Sequence, residues 1–232
     1  MSLSLLLSLL TPLDLAALGV TLAAWLLIGR LIEHPLGNRR SVTMMVADYR
    51  REWMRQFARR EGRIFDATLV SSLRQGTAYF ASTTLIALGA ILALIGNVTP
   101  LAGVAEGLTA RHQPLLLWQV KLLPPALFLT HAFLKFVWSH RVFGYCSVLM
   151  GAVPADIDDP RGPPLAAKAG ELNIRAALNF NRGLRSMYFA LGALAWLLGA
   201  LPLVLAAVIV VWLLWSREFA SQPHDILKSP PE

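Results

Sequence analysis

Four stretches of this chain, near residues 13–32, 77–96, 114–140 and 186–215, are apolar over lengths that suit a lipid bilayer. About 20 residues at a rise of about 1.5 Å each span a hydrocarbon layer of roughly 30 Å. Backbone polar groups in hydrocarbon must be satisfied within their own segment, so these stretches predict helices. Composition agrees: 56% of the residues are hydrophobic and 15% charged, against about 25% charged in an ordinary soluble domain. The expectation is an all-α, polytopic membrane protein with four transmembrane helices and cytoplasmic amphipathic helices, in a single membrane domain.

Taken in order, residues 1–12 read as a periplasmic interfacial segment. Thr11-Pro12 supplies an N-cap and a first-turn proline for helix 13–32. Residues 36–76 are a cytoplasmic amphipathic basic segment with Val46, Tyr49, Trp53 and Phe57 at helical spacing. In it Asp48 stands three residues before Arg51, within reach of an ion pair. Residues 77–96 carry Ser82, Gly89, Ala93 and Gly96 as a small-residue stripe suited to close helix packing. A polar connection, 97–113, a span at 114–140 and a cytoplasmic segment, 141–185, follow. The last span, 186–215, is too long for one perpendicular crossing, and tilt or a kink at Pro202 is expected to absorb the excess. Residues 216–232 form the tail.

The net charge of +7 sits beside apolar spans, so it argues for membrane topology and anionic lipid and not for nucleic acid. The two connections richest in Arg and Lys, 36–76 and 141–185, fall on one side if four spans alternate. That side is expected to be cytoplasmic, which places both termini in the periplasm of a bacterial inner membrane.

The third span is the candidate site. From Trp118 to Tyr145 it holds Lys121, His131 and Lys135, is interrupted by Pro124-Pro125, and is flanked by Trp118 and Trp138. On an unbroken helix Lys121, His131 and Lys135 fall within about 80° of each other, a single polar stripe. The sequence has no Walker loop, no GxGxxG, no HExxH and no paired intramembrane carboxylates. Its one cysteine, Cys146, lacks a base at helical spacing. No catalytic residue, cofactor or metal is therefore expected, and the chain is not read as an enzyme.

Two segments carry a resemblance: Phe180-Asn181-Arg182-Gly183-Leu184-Arg185-Ser186-Met187-Tyr188-Phe189-Ala190, and Arg141-Val142-Phe143-Gly144-Tyr145 with Gly151-Ala152-Val153-Pro154. Together they resemble the bacterial membrane family called domain of unknown function 599. The resemblance implies an integral membrane protein of about four helices with no assigned activity. Its motif implies that Asn181, Arg182, Arg185 and Tyr188 share an environment at the cytoplasmic end of the last helix, as contacts to helix ends or lipid phosphate. The expected function is an accessory or structural subunit, as a homo-oligomer or within a larger membrane complex. The alternative is an anion channel or transporter lined by Lys121, His131 and Lys135.

Overall fold

The computed structural model describes residues 10–35, 37, 39–109 and 113–229. Every regular element among them is helical. In chain order these are α1 (Pro12–Glu33), α2 (Val42–Ala58), α3 (Ile64–Gly96), α4 (Thr99–Thr109), α5 (Leu115–Gly151) and α6 (Gly162–Ala193), then a 3-10 turn (Leu194–Leu198), α7 (Ala200–Phe219) and α8 (Gln222–Lys228). Four helical segments are long and apolar enough to cross a membrane: Pro12–Glu33, Ile64–Gly96, Leu115–Gly151 and Ala200–Lys228. The all-α expectation holds. Of the interfacial segment 1–12, residues 1–9 lie outside the described residues.

Local chemistry sets the helix starts. Thr11 caps α1 in a capping box: its hydroxyl accepts from the Asp14 amide at 3.2 Å, and the Asp14 carboxylate accepts from the Thr11 amide at 3.1 Å. Ser41 caps α2 and also donates to the Ile32 carbonyl at 2.7 Å, tying the end of α1 to the start of α2. The turn between them passes through Gly37 at φ 69°, a conformation that favours glycine.

α5 and α6 form an antiparallel hairpin that is the spine of the molecule. Cys146 meets Ala169, Ser139 donates to the Ala176 carbonyl, Phe136 packs on Phe180, and Phe128 on Phe189. α3 lies along α5, with Thr77 near His140 at one end and the Ile95 carbonyl bonded to Gln119 at the other. At 37, 33 and 32 residues, α5, α3 and α6 reach about 48–56 Å. They overrun a roughly 30 Å hydrocarbon layer at the arginine-rich end. There a second core forms around Met54, Phe57, Val70, Phe143, Cys146 and Ala169, separate from the core of the apolar layer around Trp118, Leu122, Phe189, Trp196 and Leu203. The second core is closed by burial from water; the first relies on close packing, since lipid is as apolar as leucine.

The last span departs from expectation. Residues 186–215 are not one helix. α6 ends at Ala193, the 3-10 turn follows, and Gly199 at φ 132° reverses the chain into α7. That backbone region belongs to glycine alone, and Pro202 sits past the break, in the first turn of α7. α7 returns antiparallel to α6: a Cβ on Gly192 would meet Val210 and Ala206. At the reversal Trp196 donates to Asp14 at 2.7 Å, beside the start of α1. At the other end Glu218 accepts from the Thr43 amide at 2.9 Å, beside α2. Residues 11 and 218–228 therefore lie at opposite ends of the bundle. The cause is α6, which runs back along the bundle flanked by α5, α2 and α7 and buries its Asn173, Asn179, Arg185 and Ser186.

Two smaller expectations also change, and Trp118, which flanks the third span, is 1% exposed under Lys121. The amphipathic segment 36–76 is split: residues 64–76 belong to the same helix as the span 77–96. On α2 the buried face is Ala47, Met54 and Phe57, while Tyr49 is exposed. The small residues Ser82, Gly89, Ala93 and Gly96 do share one exposed face of α3.

Candidate anion-binding cleft

Glu33 closes α1, and Arg182 and Arg185 approach it from adjacent turns of α6. Arg182 grips the carboxylate in a fork: Nε donates to Oε1 at 2.9 Å and a terminal nitrogen donates to Oε2. Arg185 donates to Oε1 as well. The Glu33 and Arg185 side chains are 11% and 7% exposed and Arg182 is 37% exposed, so only one guanidinium reaches outward. A buried carboxylate shared by two arginines is held by charge-assisted bonds, stronger than neutral ones.

α5 supplies the facing wall. His131 Nδ1 lies 2.7 Å from the Ser186 hydroxyl, which also accepts from Trp25 Nε1 at 3.3 Å. The His131 ring stands edge-on to Trp25 at 5.0 Å. Lys135 follows one turn later, and Arg30 precedes Glu33 by one turn on α1. These side chains line a cleft of about 310 Å³. Four cations (Arg30, Lys135, Arg182 and Arg185) face one carboxylate, a net +3 before His34 and His131 are counted. Among the described residues, the Arg30 and Lys135 side chains have no hydrogen-bond or ion-pair partner.

The expected stripe is divided. His131 and Lys135 share the cleft, but Lys121 is at the opposite end of the apolar layer. It donates to Gln113 Oε1 at 2.9 Å, stands 4.8 Å over the Trp118 ring, and is 2% exposed. Ten residues of helix separate Lys121 from His131, about 15 Å. The four motif residues do not share one environment either. Asn181 turns to Thr43 at 3.3 Å, in a cavity of about 420 Å³ with Arg50 and Glu218. Tyr188 accepts from Arg217 at 2.5 Å. Only Arg182 and Arg185 enter the cleft: they reach Glu33 on α1, while Asn181 turns to α2 and Tyr188 to α7. Sequence reasoning misses Glu33, Arg30, Trp25 and Ser186 as site residues. The available signal is Arg182-x-x-Arg185 itself: two arginines one turn apart against an apolar span need an acid, and Glu33 ends such a span.

Several charges in the arginine-rich end outside the membrane-facing segments are paired within the protein. Arg51 bridges Asp48 at 3.0 Å, as the spacing predicts, and also Glu171 at 2.7 Å. Arg50 bonds Asn173, and its burial pulls the guanidinium pKa below the ordinary arginine value. In the loop 152–161 the Arg161 guanidinium holds the Asp159 carboxyl below the usual carboxylate range. Asp66, fully buried, accepts from Trp53 at 2.6 Å and Arg60 at 3.0 Å.

A family model described as "Protein of unknown function, DUF599" matches residues 16–223. No curated protein and no solved structure matches the chain.

Proposed function

We propose that this chain, which belongs to the DUF599 family, is a non-catalytic inner-membrane protein that holds an anionic ligand in the cleft between α1, α5 and α6. The observation that carries the reading is the pairing pattern. Arg182 and Arg185 are organised by Glu33, while Arg30 and Lys135 keep their charge for something else. One carboxylate already bonded by two guanidiniums is suited to holding charge in place rather than to moving a proton. The position of Lys121 favours this over an anion conduit. Between it and Lys135 stand Trp25, Phe128 and His131, with the Trp25 ring centroid 5.5 and 5.0 Å from the other two.

The arginine-rich end is assigned to the cytoplasm because basic segments resist translocation. With α6 making an additional pass, the N-terminus is then periplasmic and the C-terminus cytoplasmic. A fluorescent protein fused after residue 232 is expected to fluoresce in cells; a dark fusion that is full-length in the membrane would reverse the assignment.

Binding is tested on the detergent-purified protein by thermal melting in phosphate or sulfate against chloride at equal ionic strength. A ligand at about a hundred times its Kd stabilises by about 2.7 kcal/mol. The Arg30→Ala/Lys135→Ala double variant is expected to fold and to lose the response. Equal melting of the parent protein in all three salts would defeat the reading.

A further inference from the structure

The cationic cleft does not end at Trp25 and His131. These two residues also line a second, apolar groove of about 250 Å³ that continues between α1 and α5 toward the opposite end of the bundle. Its walls include Leu18, Leu22, Leu127 and Phe128, and its floor is Trp196 and Leu203. Leu22 and Leu127 are 48% and 68% exposed, so the groove opens sideways, to where lipid would lie. Resting on the anion-binding reading above, we propose that the ligand is an anionic glycerophospholipid, with its phosphate among Arg30, Lys135 and Arg182 and an acyl chain in this groove.

Two independent features point to that chemistry. Charge changes abruptly along the groove, from a net +3 at one end to leucine and aromatic walls at the other. A free inorganic anion has no use for the second half; an amphiphile with a charged head does. Length agrees too. From Arg30 to Leu18 the groove follows α1 for twelve residues, about 18 Å. One leaflet of a roughly 30 Å hydrocarbon core is about 15 Å deep. Arg30 stands in the last turn of α1, where the apolar run gives way to the charged end, so the phosphate would sit at headgroup depth. A chain held this way loses contact with neighbouring lipids and gains the Trp196 and Phe128 faces instead. Selectivity would then come chiefly from the head, as charge-assisted cation–phosphate bonds.

The test titrates the purified full-length protein with short-chain phosphatidylglycerol, short-chain phosphatidylcholine, glycerol phosphate and inorganic phosphate, read by native mass spectrometry and by melting. Phosphatidylglycerol is expected to bind about tenfold or more tighter than glycerol phosphate, because only the former buries methylenes in the groove. It should also bind at least about tenfold tighter than phosphatidylcholine, whose headgroup carries no net charge. Leu22→Trp, at an exposed position, is expected to remove the advantage of the chain and keep phosphate binding. Equal binding with and without acyl chains would overturn the lipid proposal and leave the anion site standing. Binding of no anion at all would overturn both.

Discussion

Replacing Glu33 by alanine is expected to destabilise the protein by about 3–5 kcal/mol, far beyond the roughly 0.5 kcal/mol typical of a surface substitution. The change leaves Arg185 nearly buried with its counter-charge gone, and frees Arg182 from its fork. Breaking one side of a buried pair costs far more than the pair contributes when whole, because the surviving charge stays desolvated. Melting in detergent and the yield of monodisperse protein read the effect. The diagnostic companion is Glu33→Ala combined with Arg185→Met, which removes both buried charges and keeps the volume of the arginine stem. It should recover most of the loss. A single variant as stable as the parent would mean that Arg185 finds water or another acid, and that Glu33 does not organise the cleft.

The same cluster explains why much of the fold was legible and the site only partly so. The Thr11 N-cap and the Asp48–Arg51 pair are local, and local chemistry is written at fixed spacings. The α6 pass was not legible by hydropathy, since that measures suitability for lipid. α6 places Asn173, Asn179, Arg185 and Ser186 against protein, each of them buried, so its polarity says nothing against a position inside the bundle. The polar stripe failed for a different reason. A helical wheel gives angle and discards height, and Lys121 and Lys135 differ in height by about 21 Å. What completed the cleft was Glu33, 149 residues from Arg182, and no spacing rule reaches that far.

Gly199 had the most consequence for topology. In sequence it falls on a small-residue face with Gly192 and Ala195; in the fold it carries the chain reversal. The turn sends Arg217 and Lys228 to the arginine-rich end and leaves the Asp14 end less basic. The charge asymmetry that sequence reading relied on is therefore sharpened by the extra pass. An even number of crossings was not needed to satisfy it.

Gly183→Ala is expected to cost about 3 kcal/mol, the upper end of what one inserted methyl does to a packed interior. A Cβ there would lie 2.6 Å from Cε1 of Phe136, with two more atoms of the same ring at 2.8 and 2.9 Å. The ring has little room to yield. Phe136 is fully buried, and Phe80 and Phe180 stand against it at 5.5 and 5.4 Å, themselves in contact at 5.3 Å. This aromatic cluster is where α3, α5 and α6 cross, and Gly183 lets the α6 backbone come close enough to close it. Phe136→Leu in the Gly183→Ala background should restore part of the stability by shortening the side chain that clashes. Gly89→Ala, with nothing within 4 Å of the new methyl, is the neutral control, and Gly192→Ala, facing Val210 at 3.3 Å, should fall between. A ranking of melting temperatures with Gly183→Ala equal to Gly89→Ala would show that α5 and α6 do not approach at this glycine. The cleft, whose Arg182 and Arg185 flank this glycine on α6, would then lose its geometric foundation.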